Sequence, residues 1–124
     1  MEAQFTNTEN TKYTLTWNEY DEDIRKLADM IYNYDRVYDY VYGIPRGGQI
    51  IAVHISHLIG IPYSPFIYQN TLIVDDVSDT GKTLKEHLYQ GLDTATLYRK
   101  DGTLHEPTFC IRTINKYINF PWEY

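Results

Sequence analysis

One continuous stretch of this chain, Leu72-Ile73-Val74-Asp75-Asp76-Val77-Ser78-Asp79-Thr80-Gly81-Lys82-Thr83, constrains its fold more than any other. Thr71 to Val74 is apolar without alternation, which predicts a strand buried on both faces, the kind found in parallel sheets. It ends in two adjacent acids, at the carboxyl edge where open α/β sheets bind ligands. A loop rich in Thr and Gly then opens a helix predicted over Thr80 to Tyr89, with Leu84 and Leu88 four apart.

The unpaired N–H groups of that first turn, with the positive end of the helix dipole, form a cradle for phosphate. Gly81 lets backbone approach an anion closely, and Thr80 and Thr83 supply hydroxyls. Two carboxylates beside such a cradle suit a ligand with a phosphate at one end and a diol next to it, as in ribose 5-phosphate. Gly81-Lys82-Thr83 also invites comparison with the nucleotide-triphosphate loop, but that motif needs a glycine where Asp76 stands. Helix capping alone would use one acid. Asp75, Asp76 and Asp79 would repel one another without a cation or a diol to hold.

Elsewhere the pattern alternates. Thr16-Trp17-Asn18-Glu19 reads as a capping box, and Ile24, Leu27, Ala28 and Ile31 place an amphipathic helix over 17–33. Val37 to Tyr42 reads as a strand, followed by the turn Gly43-Ile44-Pro45-Arg46-Gly47-Gly48. A helix is predicted from Gly48 to Leu58, packing through Ile50, Ile51, Val53, His54 and Leu58. Further strands are predicted at Tyr63–Tyr68, Ala95–Tyr98 and Thr108–Ile111, with a turn at Asp101-Gly102. Strands separated by helices of this length predict an α/β domain, a mainly parallel sheet flanked by helices. The 124 residues fit a single domain, with 1–13 as a loose lead-in and 113–124 as a small C-terminal hood.

The net charge of −6 argues against a nucleic-acid binder, which needs a basic face. No apolar run is long enough to span a bilayer, and Met1-Glu2-Ala3-Gln4 lacks the features of a signal peptide. With the single Cys110 these features place the protein in the cytoplasm.

The stretch Leu72–Thr83 resembles the phosphoribosyl pyrophosphate (PRPP) motif of type I phosphoribosyltransferases. The resemblance extends from about Thr14 to Glu123 and implies that Asp75 and Asp76 hold the ribose hydroxyls and anchor Mg2+. It implies that Ser78, Asp79, Thr80, Gly81, Lys82 and Thr83 hold the 5-phosphate, and that Asp79 is the general base at N7 of a purine. Pro45, Arg46, Gly47 and Gly48 then match the pyrophosphate loop, with a cis peptide between Pro45 and Arg46. Bare glycines expose N–H groups to an anion, and the guanidinium of Arg46 is a fork suited to phosphate.

Leu97-Tyr98-Arg99-Lys100 and the tail Lys116 to Glu123 resemble the C-terminal part of xanthine-guanine phosphoribosyltransferases. That resemblance gives Lys100 to the purine O6, Tyr117 to stacking on the base, and the Ile118 backbone to the 2-substituent. A lysine only donates hydrogen bonds, so it favours an oxo group over an amino group. The implied reaction transfers ribose 5-phosphate from PRPP to a 6-oxopurine in purine salvage, by a homo-oligomer using Mg2+. The chain departs from the family in one respect. Only Gln69, Asn70 and Thr71 separate Tyr68 from Leu72, so the mobile loop that closes over the reaction is shortened. This feature favours an alternative, a non-catalytic PRPP or nucleotide sensor, while Asp79, Lys100 and Tyr117 favour the enzyme.

Overall fold

The structure, a computed structural model, describes residues 12–88 and 91–123. The elements in chain order are β1 (Lys12–Thr14), α1 (Trp17–Tyr32), β2 (Tyr40–Gly43), α2 (Gly47–Ile59) and β3 (Thr71–Ser78). They continue with α3 (Lys82–Leu88), β4 (Thr94–Lys100), β5 (Phe109–Ile114) and β6 (Tyr117–Asn119). Strands β2-β3-β4-β5 form a parallel sheet in that order, and β1 and β6 pair in parallel as a second, smaller sheet.

Alternation along β3 explains the layering. Leu72 and Val74 face a core shared with Ile24, Leu27 and Ile31 of α1 and with Ile51, Ala52 and Ile55 of α2. Ile73 points the other way, onto Leu84 of α3 and Leu92. Helices therefore cover both faces, as the apolar run requires. Helix α1 starts at the expected capping box: Thr16 Oγ1 accepts from Glu19 N at 3.1 Å, and Glu19 Oε1 accepts from Thr16 N at 2.9 Å. No helix among the described residues is long and apolar enough to cross a membrane.

Several expectations are corrected. Lys12 and Tyr13, placed in the lead-in, belong to β1, which lies against Tyr117 and Ile118; residues 1–11 lie outside the described ones. Strand β2 begins at Tyr40, not Val37. Val37 is 81% exposed and its carbonyl accepts from the Asn70 side chain rather than from a ladder. Tyr63–Tyr68 is not a strand. Pro62 O and Ser64 N bond to Val41, but Ser64 Oγ then captures both Phe66 N and Phe66 O, and Pro65 has no donor to continue a ladder.

The packing face of α2 is Gly48, Ile51, Ala52 and Ile55, while Val53 and Leu58 are exposed. This helix is apolar nearly all round, so periodicity could not choose its face. Close approach chose it: a side chain on Gly48 would sit 2.5 Å from Val74 O. Strand β3 runs on through the acids to Ser78, and α3 starts at Lys82 rather than Thr80; the far end of that predicted helix, at Tyr89, lies outside the described residues. Strand β5 extends to Ile114, inside the segment assigned to the hood.

Candidate active site

Asp75 and Asp76 lie in the last half of β3, where the strand is still paired to β4 through Asp75↔Thr96 and Val77↔Tyr98. Each carboxylate accepts the backbone N–H of the next residue: Asp75 Oδ1 from Asp76 N at 2.9 Å, and Asp76 Oδ1 from Val77 N at 2.7 Å. Burial, then the charge of Asp76 and a hydrogen bond with it, pushes the Asp75 carboxyl up to about 8. Without a cation this pair therefore carries one proton near neutrality.

Two loops converge on the pair. The segment Pro45 to Gly48 opens α2 with no side-chain cap, and its Pro45–Arg46 peptide is cis, as the resemblance implied. Gly47 lies so close to Asp76 that any side chain there would overlap the carboxylate. Arg46, Gly47, Ile50, Asp76, Trp122 and Glu123 line an open cavity of about 660 Å3. On the other side, Asp75 and the loop Ser78–Thr83 line a cavity of about 200 Å3. Thr80 Oγ1 accepts from Lys82 N at 3.3 Å, and Gly81 holds a left-handed φ of 84°. Ser78 differs from its neighbours. It is buried, and its hydroxyl is shared with Thr103 Oγ1 at 2.9 Å and His105 O at 3.2 Å, so it braces the loop from below.

A third cavity, of about 180 Å3, shares Asp76 and Glu123 with the first and Val77 and Asp79 with the second. Lys100, Tyr117 and Ile118 line it, so all three residues assigned to the base come together. Lys100 Nζ is 4.0 Å from Asp79 Oδ1. Ile118 is buried, whereas the Tyr117 ring is 56% exposed with Lys12 Nζ 5.9 Å from its centroid, an open platform. The hood is anchored from behind by a stack of Tyr98, Phe120 and Trp122, with Trp122 edge-on to Tyr20 of α1 at 4.9 Å.

The sequence reading missed Lys116 and Glu123. Lys116 is 4% exposed on the wall of the third cavity. Glu123 lines two cavities and holds the tail by accepting Phe120 N at 2.8 Å. Both stand in the tail that carries the resemblance, and for Glu123 its place between Trp122 and Tyr124 was the available signal.

The arrangement offers three contiguous subsites around one group of acids: an anion loop, a second anion loop, and a flat slot with an ammonium at its edge. Among the described residues no three His, Cys, Asp or Glu side chains form a metal cluster. Two hard carboxylates still fit Mg2+, which is commonly held by one or two carboxylates together with substrate oxygens.

No protein-family model matches the chain, and no curated protein matches it. Solved structures do. The chain is similar to a purine phosphoribosyltransferase from Pyrococcus horikoshii, at 32% identity and a TM-score of 0.79, covering 91% of this chain and 95% of the other. A xanthine-guanine-hypoxanthine phosphoribosyltransferase from Helicobacter pylori matches at 18% identity and a TM-score of 0.79, over 91% and 94% of the two chains. A hypothetical protein from Neisseria gonorrhoeae with bound ppGpp matches at 20% identity and 0.78, over 95% and 92%. Adenine and orotate phosphoribosyltransferases share the fold at TM-scores of 0.59 and 0.58, so the fold by itself does not choose the base.

Proposed function

Because the chain belongs to the type I phosphoribosyltransferases, we propose that it transfers ribose 5-phosphate from PRPP to a 6-oxopurine base and releases pyrophosphate. The observation that carries the choice of base is the slot beside Asp79. Lys100, whose ammonium only donates, lies 4.0 Å from that carboxylate on the same wall as Tyr117 and Ile118.

In this reading the loop Asp79–Thr83 holds the 5-phosphate through its N–H groups and hydroxyls, braced by Ser78. Asp75 and Asp76 hold the ribose hydroxyls and are the residues that would hold Mg2+; the cation would neutralise charge on the pyrophosphate. Arg46 and the N–H groups at Gly47 and Gly48 hold the pyrophosphate. The base lies against Tyr117, a flat platform worth ~1–3 kcal/mol to a stacked base. Its O6 accepts from Lys100 and its 2-substituent meets the backbone at Ile118.

A purine nitrogen then attacks C1′ as the C1′–O bond to pyrophosphate breaks, through an oxocarbenium-like centre. Asp79 takes or holds the N7 proton, and the Lys100 ammonium lies 4.0 Å from its Oδ1. The electron pair of the broken bond leaves with pyrophosphate.

The neighbour with bound ppGpp favours a second reading, a non-catalytic PRPP or nucleotide sensor on the same fold. The two readings separate in one experiment. Pyrophosphate release is measured with PRPP, Mg2+ and guanine, xanthine, hypoxanthine or adenine in turn, with and without ppGpp. Release with one or more 6-oxopurines and none with adenine supports the enzyme as stated. Equal rates with adenine remove Lys100 from its role. Tight PRPP or ppGpp binding without transfer to any base moves the reading to a sensor.

A further inference from the structure

Parallel neighbouring strands are usually joined by a crossover of a dozen or more residues that carries a helix. Strands β4 and β5 are joined by residues 101–108 alone. This strap runs back along the sheet and is fastened at several points. Thr94 N donates to Thr108 Oγ1 at 3.1 Å and Thr108 N to Thr94 Oγ1 at 3.3 Å, while His105 Nε2 pairs with Thr94 Oγ1 at 2.7 Å. Near the acids the strap passes beneath the anion loop, where Leu104 N donates to Thr80 O at 2.9 Å.

Thr103 lies where strap, loop and base wall meet. Its N–H donates to Lys100 O at 3.1 Å, and its hydroxyl is 2.9 Å from Ser78 Oγ. A side chain on Gly81 would come within 2.7 Å of Thr103 Oγ1 and 2.8 Å of Leu104 N, so the glycine lets the loop close onto the strap. Ser78 is buried and reaches no other side-chain hydroxyl among the bonds that fix it.

We infer that Thr103 is a positioning residue: acting through Ser78, it fixes the 5-phosphate loop relative to the base-binding Lys100. The inference rests on the proposed function for the identity of the ligand, and its geometry predicts a split effect. Thr103→Val removes the hydroxyl and keeps the N–H to Lys100 O. The loop then loosens over its phosphate, while the base wall stays in place.

The test is steady-state kinetics with PRPP and the preferred 6-oxopurine for the wild type, Thr103→Val, Thr103→Ala and Thr103→Ser. Loss of one half-buried hydroxyl pair corresponds to a roughly tenfold rise in KM for PRPP in the Val and Ala variants, with KM for the base and kcat changed by less than about threefold. Thr103→Ser, which restores the hydroxyl, returns KM for PRPP to within about twofold of the wild type. Thermal unfolding run in parallel identifies any variant that does not fold, and Ala serves where Val crowds the site. An unchanged KM for PRPP, an equal loss in every parameter, or a Ser variant that behaves like Val overturns the inference. Absence of transfer by the wild type would instead overturn the proposed function. PRPP affinity measured by calorimetry then reads the loop directly, with the same tenfold loss expected in Thr103→Val.

Discussion

Asp75→Asn is expected to make the ligand-free protein more stable while abolishing its binding of PRPP. In the folded chain the carboxyl of Asp75 is pushed from 3.8 to about 8 by burial and by Asp76. In the unfolded chain it ionises normally. Between those two values the folded state binds one more proton than the unfolded state, so stability falls as pH rises, by about 1.4 kcal/mol per pH unit. At pH 7 the accumulated penalty is at most ~4 kcal/mol, and roughly half of that once side-chain relaxation and water penetration are allowed for. Asparagine keeps the shape and the carbonyl that accepts Asp76 N, and it carries no charge to bury.

For a chain of this size, ~2–4 kcal/mol corresponds to a rise of roughly 6–16 °C in Tm. The assay is thermal unfolding by circular dichroism in buffer containing a chelator, from pH 4 to pH 9. The gap between variant and wild type is expected to be smallest near pH 4, to widen up to about pH 8 and then to level off. A variant less stable than the wild type at pH 7, or a gap independent of pH, would refute the reasoning: Asp75 would then be stabilised by its surroundings rather than strained for a ligand.

Asp79→Asn is expected to reduce kcat by ~10²–10⁴-fold with PRPP affinity nearly unchanged, because a general base acts on the reaction and not on the phosphate; paired kinetics and calorimetry check it. Gly47→Ala forces a methyl group against the Asp76 carboxylate, at a cost of roughly 1–3 kcal/mol, and is expected to weaken binding of both PRPP and pyrophosphate, measured by calorimetry. The cavity of about 660 Å3 beside Arg46 is open, which leaves the proposed pyrophosphate site accessible to water. Rapid-quench kinetics with guanine should therefore show no burst and a measurable fraction of PRPP hydrolysis; a burst with no hydrolysis would mean that the site closes by other means.

Local signals carried far in this chain. The capping box at Thr16 and Glu19 depends on residues three apart and appears where the sequence placed it. The apolar run before Asp75 dictated a strand covered on both faces, and its order before a Gly/Thr loop dictated where the acids stand. Most of the assigned residues gather into contiguous cavities for the same reason: the acids, Arg46 and Lys100 stand at or just beyond the carboxyl ends of β2, β3 and β4, which share one edge of the main sheet, and Tyr117 and Ile118 join them from β6 of the smaller sheet.

What the sequence could not decide depended on partners distant along the chain. The face of α2 was settled by the approach of Gly48 to Val74, since a helix apolar on most sides has no preferred face of its own. Lys12 to Thr14 became a strand only because β6 lay beside it. Asp23 is a charged residue on the buried face of α1, acceptable there because Arg112 and the Tyr98 hydroxyl reach it at 2.8 and 2.6 Å. The bond between Thr103 and Ser78 likewise follows from the path of the strap, which no local pattern encodes. Periodicity and spacing record what a residue asks of its near neighbours, whereas register, close approach and buried polar pairing are fixed only when the whole chain has packed.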